Sequence, residues 1–199
     1  MSRIVQIIAF VLIALSVIIV FAAVAVDFFQ YNNRDDTEAE KRSPVATGSM
    51  IGFFILYYVA VRFRIGAAQN LNTAYAIIGA VLVMSGAAVN IAGRIQLGRN
   101  WANHIKVYSG HALVQTGVYR AARHPLYASL ILMMFGGSLA YLNWLSAVLT
   151  AAVFIPMMNY RAKQEEAMLS EAFPEYRAYM KDVGRFFPKI WKGRRYGGL

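Results

Sequence analysis

The sequence predicts an all-α integral membrane protein with about five transmembrane helices. Three observations carry that reading. Of the 199 residues, 58% are hydrophobic and only 15% charged, whereas a soluble domain is about half apolar and about a quarter charged. The apolar excess is gathered into long runs without charge, as a lipid solvent requires. The basic residues, finally, divide unequally between the two sides that such runs would define.

The first run is Ile4 to Val26, followed by Ser43 to Val61 and Thr73 to Gly93. Leu126 to Asn143 and Trp144 to Tyr160 form a pair across a short turn, with Asn143 at the turn. A helix crosses the hydrocarbon with ~20 apolar residues, so the last two are short but adequate. The first run exceeds the apolar core of a secretory signal, about 7–15 residues, and is expected to be a helix of the mature chain despite the cleavage-like Ala22-Ala-Val-Ala25. The third is rich in small residues (Gly79, Ser85, Gly86, Ala87, Ala88), which predicts a close helix-packing face.

With five spans, Arg3, Arg62 and Arg64 fall on one side and the other 17 of the 20 Lys and Arg residues on the opposite side. Basic residues concentrate in the cytoplasm, so the N-terminus is expected outside and the long connection before the fourth helix inside. The net charge of +10 is therefore a topology signal, with attraction to anionic membrane lipid as a consequence, rather than a nucleic-acid signal. The connector Asp27 to Arg42, which holds five of the ten acidic residues, reads as a solvated loop. No cysteine occurs, which excludes disulfides, thiolate metal sites and a cysteine nucleophile.

Between Glu40 and Glu165 there is no carboxylate. Paired-carboxylate hydrolysis, a carboxylate-bound divalent metal and a Ser-His-Asp triad all lack their acidic member there. His104, His111 and His124 do not share a helical metal face, so no metal is expected. The polar groups that remain form a bridge between apolar segments: His111-Ala-Leu-Val114, Gly117-Val-Tyr119 and Arg123-His-Pro-Leu-Tyr127. Pro125 suits the first turn of the fourth helix. The fifth helix should run on to about Ala172, where Phe173-Pro174 breaks it, before a short helix over Tyr176 to Met180. On its emerging part, Arg161 and Glu165 are four apart and share one face. By itself that spacing also suits a plain interfacial salt bridge, and the histidines and tyrosines also suit interfacial anchors.

The order of these elements, with Leu97-Gly-Arg-Asn-Trp101 before them, Arg161-Ala-Lys-Gln-Glu165-Glu166 and a closing Phe187-Pro188, resembles the isoprenylcysteine carboxyl methyltransferase family. The resemblance covers about residues 97–188; the earlier helices match only in hydropathy. It implies one membrane methyltransferase domain over residues 1–199, with a cytoplasmic cofactor region formed by the loop before helix four and the C-terminal helices. It also implies S-adenosyl-L-methionine as cofactor. By the same resemblance His111, Ala112, Leu113, Val114, Tyr119, His124, Pro125, Leu126, Tyr127 and Glu165 line the cofactor pocket, and Arg161 addresses the substrate's carboxylate. Arg161 and Glu165 are then the catalytic pair.

The expected reaction is methyl transfer to a lipophilic or lipidated acceptor that arrives from the bilayer, most simply carboxyl O-methylation of an isoprenylcysteine-like group. An ionised carboxylate needs no general base, so alignment and exclusion of water suffice. Three other readings share parts of the pattern: methylation of a lipid amine, an NADPH-dependent membrane sterol or enone reductase, and a non-catalytic scaffold or transporter subunit.

Overall fold

In the computed structural model, the described residues are 2–31, 37–41, 44–98, 105–108 and 113–189. They form helices α1 (Ser2–Tyr31), α2 (Pro44–Arg62), α3 (Thr73–Leu97), α4 (Pro125–Ala140), α5 (Trp144–Leu149), α6 (Ile155–Ala172) and α7 (Tyr176–Asp182). A π-helical turn, Thr150–Phe154, joins α5 to α6 without a break. The one pairing of strands among the described residues is antiparallel, between β1 (Thr37–Lys41) and β2 (Ile105–Tyr108), with Glu40 opposite Lys106.

Among the described residues, three helical stretches are long and apolar enough to cross a membrane: Ser2–Gln30, Thr73–Leu97 and the continuous Trp144–Ala172. The other two expected spans are present as apolar helices but shorter, with α4 at 16 residues, or about 24 Å of rise. The outer face of α1 presents Ile4, Ile7, Ile8, Val11, Leu15, Ile18 and Ile19, each about half exposed or more. A row of aliphatic side chains of that length is stable only against lipid, which makes this an integral membrane protein.

Helix ends follow local chemistry. Asn72 caps α3, its Oδ1 accepting from Ala74 N at 2.9 Å, and Asn143 caps α5 by accepting from Ser146 N at 2.9 Å; each satisfies an orphan backbone donor. Asn143 also donates through Nδ2 to Ala60 O at 2.9 Å, tying the end of α2 to the α4–α5 hairpin. Pro125 occupies the first turn of α4 as expected, and α6 ends at Ala172, before Phe173-Pro174.

Two sequence expectations change. The polar connector does not begin at Asp27: α1 continues to Tyr31, because Arg94 Nη1 meets Asp27 Oδ2 at 2.6 Å and the carboxylate stays paired inside the bundle. Part of the same connector, Thr37–Lys41, is strand rather than open loop, its backbone groups paired with β2.

The small residues of α3 do form a packing face against α4, but through a subset. A Cβ on Gly79 would lie 2.5 Å from Gly136 O and 2.6 Å from Ala140 N, and one on Gly86 would lie 2.6 Å from Met133 Cγ. Backbones this close require glycine. Ala87 is buried with them, whereas Ser85 and Ala88 face outward. Around this seam, Ala9, Ile13 and Val20 of α1 pack on Ala76, Ala80 and Val83 of α3. A second core joins Phe53 of α2 to Ile131, Phe154 and Met158, with the Phe53 and Phe154 rings stacked at 4.6 Å. It ends one turn below Arg161.

Candidate active site

Chain order separates the site residues; three local features bring them together. A 3-10 turn at Gly117–Arg120 starts at Gly117, whose φ of +57° disfavours any side chain. It buries Tyr119 and turns the chain toward α4. His124 then stands at the N-cap of α4 with its ring buried. The segment before it runs beside the C-terminal segment in a parallel bridge between Ala122 and Gly184. Arg123 N donates to Gly184 O and His124 N to Arg185 O, both at 2.9 Å. Finally, α6 lays Arg161, Glu165 and Glu166 against this junction.

The two neighbouring glutamates have different surroundings. Glu165 keeps a quarter of its side chain exposed. Its Oε1 accepts from the Tyr127 hydroxyl, and its Oε2 lies 3.2 Å from His124 Nδ1. The Arg161 guanidinium lies within electrostatic reach of the Tyr127 hydroxyl, and its Nη1 lies 2.8 Å from Met50 Sδ of α2. Tyr127 is therefore bonded to the expected donor-binding anion and within electrostatic reach of the expected acceptor-binding cation.

Glu166 is buried at the centre of a cationic ring. Its Oε1 receives Arg123 Nε at 3.0 Å, Arg123 Nη2 at 2.8 Å, His124 Nε2 at 3.1 Å and Arg185 Nε at 3.0 Å. Its Oε2 receives Arg185 Nη2 at 2.5 Å. Charge-assisted, forked contacts of this kind are the strong hydrogen bonds of proteins. They hold the C-terminal segment, α6 and the start of α4 in one unit. Arg123 also donates through Nη1 to the carbonyls of Met180 and Val183, and Arg185 to Asn159 Oδ1.

Burial disfavours a charged His124, but hydrogen bonds and charge from Glu165 and Glu166 outweigh it and raise the imidazole above its ordinary value. Burial, reinforced by the Glu165 charge, pushes the Tyr119 phenol far up and keeps it neutral. Burial pushes Tyr179 up to about 12; its hydroxyl donates to Tyr119 O at 2.5 Å, clamping the 3-10 turn from α7.

Of the residues expected from sequence, Arg161, Glu165, His124 and Tyr127 come together directly, and Tyr119 lies within electrostatic reach of Glu165. Pro125 is buried at the same junction. Leu126 packs on α3 at Gly93, where a Cβ would lie 2.9 Å from Leu126 Cδ2. Leu113 and Val114 are half-buried in the chain leading to the 3-10 turn. His111 and Ala112 lie outside the described residues. Sequence reasoning missed the roles of Arg123 and Glu166, although both stand in the quoted motifs. It also missed Arg185 and Asn159, for which the only signal was the apolar tail segment beside Arg185.

Residues 77–171 match the model of the Isoprenylcysteine carboxyl methyltransferase (ICMT) family. The chain is 33% identical over 117 residues to the Protein-S-isoprenylcysteine O-methyltransferase of Saccharomyces cerevisiae, covering 57% of this chain and 49% of that protein. It is 34% identical over 96 residues to the Cobalt-zinc-cadmium resistance protein CzcN of Cupriavidus metallidurans, covering 47% of this chain and 44% of that protein. The match thus spans about half the length of these curated relatives. In three dimensions it resembles a solved structure of the eukaryotic intramembrane Ras methyltransferase ICMT, with a TM-score of 0.55 at 22% identity over 83% of this chain and 56% of that one. At that identity the likeness speaks for the fold.

Proposed function

We propose, from the place of residues 77–171 in the isoprenylcysteine carboxyl methyltransferase family, that this chain methylates the carboxylate of a lipophilic acceptor with S-adenosylmethionine as donor. The observation that carries the proposal is the Tyr127 hydroxyl, hydrogen-bonded to Glu165 and within electrostatic reach of Arg161. It sets an anion and a cation side by side, one helical turn apart, at the end of the bundle.

The donor carries a sulfonium and an ammonium, so its site needs a carboxylate with acceptor capacity to spare. Glu165 fits, being partly exposed with two contacts, whereas Glu166 is buried and held by Arg123, His124 and Arg185. Tyr119, Tyr127 and the chain from His111 to Val114 would complete the donor pocket. When bound, S-adenosylmethionine supplies an electrophilic methyl group, and an ionised carboxylate accepts it without a base.

The protein's part is orientation and exclusion of water. Arg161 aligns the acceptor carboxylate through its planar fork, and its charge acts with little screening beside lipid. Buried neutral tyrosines keep the site dry without competing as nucleophiles. The acceptor class is an isoprenylcysteine, as in the names of the eukaryotic relatives, and it arrives along the bilayer. The site faces the cytoplasm, the N-terminus lies outside, and residues 1–199 act as one domain.

The test is transfer of labelled methyl from S-adenosylmethionine to farnesylcysteine in liposomes. Base-labile radioactivity in the lipid fraction, abolished in Arg161→Ala, is expected. Base-stable label would mean amine methylation and would overturn the carboxylate assignment.

A further inference from the structure

We infer that Glu166 is a positioning residue, holding His124 as a doubly protonated imidazolium whose other side, at Nδ1, pairs with the Glu165 carboxylate and fixes it in place. This deepens the proposed function, since it rests on Glu165 as the donor-binding carboxylate.

The argument is one of donors and acceptors. His124 Nε2 lies 3.1 Å from Glu166 Oε1, and Nδ1 lies 3.2 Å from Glu165 Oε2. Ionised carboxylate oxygens only accept, whereas a neutral imidazole has one donor and one acceptor nitrogen. In a neutral ring, one of the two contacts would set lone pair against lone pair. The ring is buried, 6% exposed, so no water relieves the mismatch. It is also held in orientation, stacked on Tyr127 at 5.6 Å and 6°, with Phe186 edge-on at 6.3 Å.

Among the described residues, the charged groups around the ring can be placed, with the buried Tyr176 phenol beside Glu166. Glu165 and Glu166 come from α6, and Tyr127 from α4. Arg123 and Arg185 reach Glu166 from the turn before α4 and from the C-terminal segment. The arginines anchor the Glu166 carboxylate but leave it one contact to His124. Arg161 acts on Tyr127. The two carboxylates also outweigh the burial that would otherwise strip the ring of its charge. Glu166 is buried and turned to protein donors on both oxygens; its effect on the donor passes through His124.

The wild-type protein gives the first test. Histidine-selective ¹⁵N NMR in detergent, with the His124 signals identified by their loss in H124Q, should show both ring nitrogens protonated at about pH 7.5, above the ordinary histidine value. A neutral-ring pattern there overturns the inference. The second test is the E166Q variant, which keeps shape and loses charge. Its His124 should titrate at least about one pH unit lower, a shift corresponding to a tenfold change. S-adenosylhomocysteine affinity, measured by calorimetry, should then fall about tenfold above the new midpoint and return to wild type below it. An equal loss at all pH values would mean that Glu166 only supports the fold, and would overturn the positioning role. If wild-type protein binds no S-adenosylhomocysteine, the donor assignment fails, while the NMR pattern still decides the state of the ring.

Discussion

Asp27 and Arg94 meet at 2.6 Å across the seam between α1 and α3, with side chains only 15% and 10% exposed. Arg94 Nε reaches on to Asn90 Oδ1 at 2.8 Å, and Asn90 Nδ2 to Ser129 Oγ at 2.8 Å. A line of polar groups thus ties the end of α1 to the beginning of α4, where the site residues stand. Removing one partner of a buried pair costs about 3–5 kcal/mol. Asp27→Asn should therefore lower the unfolding temperature in detergent markedly, and Asp27→Asn combined with Arg94→Met should cost less than the two single changes summed. Additive losses would show that the two side chains do not act as a pair.

The Tyr127 hydroxyl, bonded to Glu165 and within electrostatic reach of Arg161, predicts separable defects. Glu165→Gln should weaken S-adenosylhomocysteine binding by about 1–3 kcal/mol, the range for a lost charged hydrogen-bond partner, and leave acceptor KM nearly unchanged. Arg161→Ala should raise acceptor KM or abolish turnover while donor affinity persists. Calorimetry on both variants decides; equal losses of donor affinity would discard this division.

His124 makes the fold itself sensitive to pH. Its folded-state value is raised by two carboxylates, so the stability it contributes is complete below the ordinary histidine value of about 6.5. It is lost as pH climbs through the raised folded value. Thermal unfolding should therefore fall off on the alkaline side, and H124Q should flatten that limb. An alkaline limb identical in the two proteins would rule out the imidazole as its source.

Glycine content has opposite consequences on α2 and α3. A Cβ at Gly52 meets nothing within 4 Å, while one at Gly79 collides with the backbone of α4. Gly52→Ala should leave stability unchanged or raise it by up to about 1 kcal/mol. Gly79→Ala must push α3 from α4, costing about 1–3 kcal/mol as overpacking does. Melting temperatures of the two variants test the contrast, and equal shifts would contradict the close approach at Gly136.

The parts of the fold legible in the sequence are those with local causes. Pro125, the Asn143 cap and the stop at Phe173-Pro174 act within a few residues, and hydropathy located every long helix. What was not legible depends on distant partners. The extension of α1 past Asp27 needs Arg94, and the role of Arg185 needs the backbone pairing of Gly184 with the segment before α4. At the site, the meeting of Tyr127 with Glu165 followed from family resemblance. The contrast between Glu165 and Glu166 did not. Consecutive residues project about 100° apart on a helix, and only the packed neighbours show which carboxylate is enclosed.

The π-helical turn at Thr150–Phe154, closed by the Ile155 N–H on Thr150 O, has a consequence of phase. One surplus residue in a helix swings everything beyond it by about 100° around the axis. The azimuth at which Arg161, Glu165 and Glu166 project is therefore dialled from deep among apolar side chains, by a widening that touches none of them. Shortening that coil by one residue would preserve every chemical group of the site and aim them all at the wrong neighbours.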